Sequence, residues 1–439
     1  MTTATSVIRR NCVGFMSTVA LFAAACSSPQ APAGGPTQAA APTGAPAAAN
    51  ASGAAGGLLL SCAEFASQGS GGDAIKMGAD AALTGPSANF GINMQRGLQI
   101  CLNEFNNAGG YQGRKVDIPV LDDQVKPEVA VANVTRFLEQ DKVSAIIGPV
   151  NSGNALAFIP EVEDAEVPLV VPVSTSVPVV YLDANNQPSA LYGDSGVHPR
   201  KWVFRTSMQD NFQVETILNY AKSKSWDAIG LMNDTSGYGT ASKQTADQLI
   251  PAGGFKILDS ETYNIGDTDM TSQLQKMKDA GVRQIINFGL GPEDANLLIS
   301  ARKINYQVQF SGAWGFSDPL VPQLAGKDLT QGVVTVASFT PDQSPEAAEF
   351  HQKMIQNFGE DTFPIAAAQS YDATRMVLMA LSKSGPDPAK LRDAIENLDG
   401  FKGVTAAPPK PFSSDKHHTL EGKDMFAAQW QDGVLVKAQ

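Results

Sequence analysis

From about Asp73 onward the sequence predicts an α/β fold of two doubly wound parallel-sheet lobes joined by a hinge that the chain crosses more than once. Three observations carry this prediction. Short β-branched runs alternate with amphipathic helical stretches, the signature of βαβ units and a parallel sheet. The alternation comes in two blocks, separated near Arg200 to Thr206. The chain beyond residue 73 exceeds one ordinary domain, so two is the natural count.

The first block opens with a strand at Ile75 to Ala79. Gly91 to Asn107 reads as a helix, with Leu98, Cys101, Leu102 and Phe105 at the spacing of one face, and Gly109-Gly110 stops it. Val116 to Leu121 is a strand ending in Asp122-Asp123, and Pro127 to Gln140 is a helix opened by a proline in its first turn. Val143 to Ile147 and Val167 to Val171 are further strands. In the second block Ala228 to Met232, Gln284 to Phe288 and Gln307 to Phe310 read as strands, and Met270 to Ala280 as a helix. Gly332 to Phe339 and Asp424 to Val436 look like later strands, which is why repeated crossings are expected.

The N-terminus reads as an export signal. Arg9 and Arg10 precede a short apolar run from Val13 to Phe22, too short for a mature membrane span of roughly 20 residues. Ala23-Ala24-Ala25-Cys26 resembles a bacterial lipobox, in which Cys26 is lipidated; the competing reading is a plain secretory signal cut near Ala25. From Ser27 to about Gly57 the chain is nearly all Ala, Pro, Gly, Ser, Thr and Gln, a composition that builds no core and suits a tether. The formal charge of −12 becomes −14 once Arg9 and Arg10 leave, which argues against nucleic acid and anionic membrane surfaces as partners. Of the four cysteines, Cys12 and Cys26 are accounted for by the signal and the lipid, leaving Cys62 and Cys101. In an oxidising compartment the remaining two suggest one disulfide, pinning the segment before the first strand to the first helix; two unpaired thiols are the alternative.

Ligands of open parallel sheets bind outside the carboxyl ends of the strands. That rule selects the loops 83–90, 149–154, 173–177, 234–238, 289–293 and 312–316, which hold Ser, Thr, Gly and aromatic residues but no His or Cys. Gly291 enters the candidate site on this basis. Catalytic signatures are missing from the sequence. Four His (His198, His351, His417, His418) show no metal or base spacing, and His417-His418 are expected to be solvated. Asp122-Asp123 is expected to cap and hydrogen-bond its loop rather than to bind metal. No Walker loop and no nucleophile elbow occur, so no enzyme, cofactor or metal is expected.

An ordered set of segments resembles the leucine/isoleucine/valine-binding family of type 1 periplasmic solute-binding proteins. It comprises Ile75 to Gly78 with Leu83-Thr84-Gly85-Pro86, Asn103 to Gly110 with Gly113, Asp122-Asp123, Val143 to Pro149 with Ser152, and Val167-Pro168 leading to Ser174-Thr175. Phe204-Arg205-Thr206, Tyr238-Gly239 and Tyr371-Asp372-Ala373 complete it. The resemblance implies that Ser152 and Thr175 hold a ligand carboxylate, that Val173 offers a backbone carbonyl, that Phe90 lines an apolar subsite and that Tyr238 reaches across from the second lobe. Where the family's amino-acid binders carry an acid for the ligand's ammonium, this chain has Trp314. A buried ammonium without an anion costs several kcal/mol. The solute is therefore either a branched-chain amino acid, with Glu293 or Asp318 substituting, or a carboxylate, amide or aromatic acid stacked on Trp314.

The expected protein is an exported, lipid-anchored solute-binding subunit of an ABC importer, with a permease and its ATPase as partners. The competing readings are a ligand-sensing module for a membrane receptor and a hydrolase on a doubly wound fold. The expected division is a signal at 1–25, a lipidated Cys and tether at 26–72, a first lobe at 73–204 and 333–405, and a second at 205–332 and 406–439.

Overall fold

A computed structural model describes residues 60–359 and 363–438. The expected signal, Cys26 and the tether up to residue 59 lie outside the described residues.

The first lobe is built on a parallel sheet of β1 (Gly78–Ala81), β2 (Val120–Asp122), β3 (Ile146–Ile147), β4 (Leu169–Val171) and β5 (Val203–Arg205), in the order β2-β1-β3-β4-β5. Ile146, Ile147, Leu169, Val170 and Val171 are fully buried, as a parallel sheet covered on both faces requires. Each such side chain contributes roughly 1.5–3 kcal/mol through burial. One cover contains α1 (Ala88–Asn107), and the other contains α2 (Pro127–Arg136) packed on α3 (Ser152–Ala165). The buried face of α1 carries Phe90, Met94, Leu98, Cys101 and Phe105 at helical spacing. The helix ends before Gly109 and Gly110, whose φ angles of 119° and 67° suit glycine.

The second lobe alternates β6 (Ala228–Asp234), α5 (Gly237–Ala252), β7 (Lys256–Tyr263), α6 (Thr271–Asp279), β8 (Gln284–Phe288), α7 (Gly291–Lys303) and β9 (Gln309–Gly312), preceded by α4 (Asp210–Ser223). Its sheet runs β7-β6-β8-β9 in parallel and is extended by β10 (Val334–Ala337). Two antiparallel strands, β11 (Phe426–Gln431) and β12 (Val434–Lys437), finish the edge.

Between β10 and β11 the chain returns to the first lobe as α8 (Pro345–Phe358), α9 (Pro364–Ser384) and α10 (Pro388–Glu396), with α9 lying along α1. Three segments therefore cross between the lobes, after β5, after β10 and before β11. They are tied together: the Arg205 N–H donates to the His417 carbonyl at 2.8 Å, the Thr419 N–H donates to the Arg205 carbonyl at 3.1 Å, and Gln369 Nε2 donates to Ser338 Oγ at 3.0 Å.

Several expectations are corrected by this architecture. Residues 333–337 stand in the second sheet, not in the first lobe, because β10 pairs with β9 and β11. Residues 406–416 stay beside the first lobe, with the Phe412 ring 5.1 Å from Phe204, so the last crossing falls at 417–421. The tether stops short of residue 72: Leu60 and Cys62 are buried, and Cys62–Phe65 forms a helical turn. Cys62 and Cys101 are joined in a disulfide that fixes this turn to α1. His417 and His418 are buried, not solvated. His418 Nδ1 lies 2.6 Å from Tyr181 Oη, and His417 Nε2 lies 3.1 Å from Glu396 Oε1 while its ring stacks on Phe204 at 4.2 Å. Burial holds both imidazoles below their ordinary pKa, His418 at about 3, so they stay neutral at pH 7. Among the described residues no helix is long and apolar enough to cross a membrane.

A candidate solute site between the lobes

The carboxyl ends of both sheets face a shared cleft, and the lobes touch across it. A narrow cavity lies there. Phe90, Ser152, Val173 and Thr175 line it from the first lobe, and Tyr238 and Trp314 from the second. Gly291 does not line it; its neighbour Leu290 does, because the Cα of Gly291 packs against the Asp318 carboxylate, 2.6 Å from where a Cβ would sit. Sequence reasoning also passed over Val150, Asn151 and Ser174, which complete the first-lobe wall. All three lie in loops that the carboxyl-end rule selects, 149–154 and 173–177.

One end of the cavity is a set of hydrogen-bond donors. Ser152 begins α3, whose first N–H groups have no partners within the helix and whose dipole favours an anion. Ser152 Oγ accepts from Ser174 Oγ at 2.9 Å and from the Ser176 N–H at 3.4 Å, which leaves its own proton to donate. Thr175 Oγ1 and Tyr238 Oη are buried, and neither meets a partner at full hydrogen-bond geometry; Asp210 stands beside the first and Ser242 beside the second. A buried hydroxyl left unmatched costs about 1–3 kcal/mol, a penalty that an incoming acceptor removes. The Thr175 backbone is fixed from behind, where its carbonyl accepts from Arg205 Nη1 at 2.8 Å and from the Asp210 N–H at 3.2 Å.

The other end is apolar and aromatic. Phe90 and Trp314 meet edge to face across the cleft with centroids 5.0 Å apart, and Phe363 packs on both rings. The Trp314 N–H is held by Gln213 Oε1 at 3.0 Å, so this residue belongs to the wall through its backbone as well as its ring.

Among the described residues no carboxylate or cation lines the cavity. The acids nearby are engaged behind the wall. Glu293 accepts from the Gly266 N–H at 2.8 Å. Asp318 Oδ1 accepts from Asn89 Nδ2 at 2.6 Å and from the Leu320 N–H at 2.9 Å, and burial raises its pKa to about 6. Asp294 accepts from Asn287 Nδ2 at 2.7 Å. Burial, with Glu293, Asp234 and Asp318 close by, pushes its pKa well above the ordinary range. No cluster of metal-ligating side chains occurs among the described residues. As expected for its loop, Asp122 accepts from the Leu83, Thr84 and Gln124 N–H groups.

A larger open groove runs along residues 338–346 and 402–407 and the last two strands. Its charges of both signs, including Lys402, Lys423, Asp342 and Asp424, do not converge on one chemistry. The smaller cleft carries the matched donors and is the better site.

Two α/β lobes closing on a small neutral cavity, with donors at one end and aromatic rings at the other, define a solute-binding protein. A sequence model described as periplasmic binding protein matches residues 74–434, and the chain belongs to that family. It is 26% identical over 376 residues to the leucine-, isoleucine-, valine-, threonine-, and alanine-binding protein of Pseudomonas aeruginosa, covering 84% of this chain and 94% of that one. A periplasmic binding protein type 1 from Bordetella pertussis superimposes with a TM-score of 0.74 at 27% identity, over 81% of this chain and 96% of the other. A branched-chain amino acid transporter substrate binding protein from Streptococcus pneumoniae, in complex with isoleucine, shares the fold with a TM-score of 0.71 at 23% identity, over 83% of this chain and 100% of that one. The chain is thus an extracytoplasmic solute-binding protein of the ABC-transporter type, and not an enzyme.

Proposed function

We propose that this protein captures a small carboxylate with an apolar body and delivers it to an ABC permease and its ATPase. The observation that carries this reading is the pair of buried hydroxyls without a full hydrogen bond, Thr175 Oγ1 and Tyr238 Oη, lining one cavity from opposite lobes beside the start of α3. The carboxylate lies against Ser152, Thr175 and the first N–H groups of α3, Tyr238 closes over it, and the body lies against the paired Phe90 and Trp314 rings. The Pseudomonas relative is named for amino acids, several with apolar side chains. In this chain the neutral lining favours a body without an ammonium, since nothing in the wall balances a buried cation. Lipidation of Cys26, with the Ala/Pro/Gly-rich segment as a tether, is proposed as the means of holding the body near its permease.

The test is calorimetric titration of Thr175→Val and Tyr238→Phe with 4-methyl-2-oxopentanoate and with benzoate. A hydrogen bond to a charged group contributes about 1.5–3 kcal/mol, so each variant should lose roughly 10- to 150-fold in affinity. The solute-free melting temperature should change little, because neither hydroxyl makes a full hydrogen bond in this structure. Unchanged affinity in both variants would mean the carboxylate is held elsewhere.

A further inference from the structure

We propose that Asn89 and Asp318 form a clasp that holds the lobes closed, independent of which solute lies between them; this rests on the two-lobe closure described above. Asn89 stands in the first turn of α1 in the first lobe, and Asp318 follows the Trp314–Ser317 turn in the second. Asn89 Nδ2 donates to Asp318 Oδ1 at 2.6 Å across the cleft. Neither residue lines the cavity.

Both partners are prepared for this contact by their own lobes. Asn93 Nδ2 donates to Asn89 Oδ1 at 3.1 Å, which turns the Asn89 NH₂ group outward, and the Phe363 N–H donates to Asn93 Oδ1 at 3.0 Å. In the second lobe the Leu320 N–H donates to Asp318 Oδ1 at 2.9 Å. Gly291, the first residue of α7, leaves room for the Asp318 carboxylate beside the positive end of that helix. Asp318 is wholly buried while the lobes touch. Opening the cleft separates α1 from the 314–318 turn, breaks the bond and returns both groups to water. The contact therefore exists only in the closed form and biases the open–closed equilibrium by its whole net strength. Because the apparent affinity scales with the population competent to hold solute, every solute gains by the same factor. Asn89 and Asp318 are positioning residues in this sense.

The experiment uses Asn89→Ala and Asn89→Asp. Asn89→Ala should release 4-methyl-2-oxopentanoate and benzoate about tenfold faster, by the same factor for both, with the association rate and the solute-free melting temperature unchanged. Asn89→Asp should release them faster still, since two carboxylates would face each other. In solute-free protein, spin labels at the exposed positions 128 and 268, one on each lobe, should report a smaller short-distance population in both variants than in the parent. A factor that differs between the two solutes, or an equal loss of melting temperature with and without solute, would overturn the clasp. Should neither probe bind the parent protein, the solute reading fails while the clasp is still decided, because unchanged label distances would overturn it and a smaller short-distance population would support it.

Discussion

Gly237→Val is expected to reduce solute affinity by roughly 5- to 150-fold while leaving the solute-free protein as stable as before. Gly237 opens α5 in the second lobe, and Gly153 lies in the first turn of α3 in the first. A Cβ at Gly237 would stand 2.5 Å from the Gly153 Cα and 2.9 Å from its nitrogen, closer than real Cβ atoms approach backbone. No flexible side chain is available to give way, so the lobes themselves must part. Overpacking of this kind costs about 1–3 kcal/mol, and here the whole cost falls on the closed form. Tyr238 is the next residue, so parting the lobes here also withdraws its hydroxyl from the carboxylate end. Titration with 4-methyl-2-oxopentanoate and a melting curve without solute check both halves. Parent-like affinity would show that the closed form tolerates a wider cleft than this structure has.

Arg205→Met should lower the stability of the folded protein by about 1–3 kcal/mol or more, the cost of leaving buried acceptors without their charged donor. Arg205 is completely buried at the end of β5, where the chain first crosses between lobes. Its guanidinium donates to the Thr175 carbonyl at 2.8 Å and to the Ser176 carbonyl, and Asp210 supplies the compensating charge. Burial pulls the Arg205 pKa down to about 10, so it remains charged at pH 7. Burial likewise raises the Asp210 carboxyl, which the Ser242 hydroxyl and Arg205 hold back. Methionine keeps much of the volume but takes the charged donor from the Thr175 and Ser176 carbonyls and leaves Asp210 with only neutral donors such as Ser242 and Gln213. Chemical denaturation should show the loss as a lower midpoint, and Thr175 should lose its fixed position, so affinity falls in whatever folded protein remains. A loss under 1 kcal/mol would show that Asp210 is not carried as an ion by this arginine.

Much of the architecture was legible in the chain because local patterns and tertiary demands agree there. Gln284 to Phe288 is a strand at the expected bounds, since its apolar run suits a strand covered on both faces. The carboxyl-end rule and the family resemblance together led to Ser152, Val173, Thr175, Phe90, Tyr238 and Trp314, which the fold gathers around one cavity. What escaped depends on partners remote in sequence. His417 and His418 sit in a polar stretch, and only Glu396, Tyr181 and Phe204, brought in by the fold, make their burial possible. Gly291 lies in the right loop, yet its lack of a side chain serves Asp318 rather than the solute. The Asn89–Asp318 bond joins residues 229 apart and leaves no periodic trace. The place of residues 333–337 was misread because a strand beside a crossing looks the same whichever sheet it enters.

The neutral character of the cavity is the central claim, and one matched pair of solutes tests it most directly. L-Leucine and 4-methyl-2-oxopentanoate share a carboxylate and an isobutyl body and differ only in ammonium against ketone. Calorimetric titration of the parent protein with each, under identical buffer, should show the oxo acid bound at least tenfold more tightly, as expected when no anion balances a buried ammonium. Tighter binding of leucine would contradict the account and would mean that an acid behind the wall, such as Asp318 or Glu293, turns into the cavity to meet it.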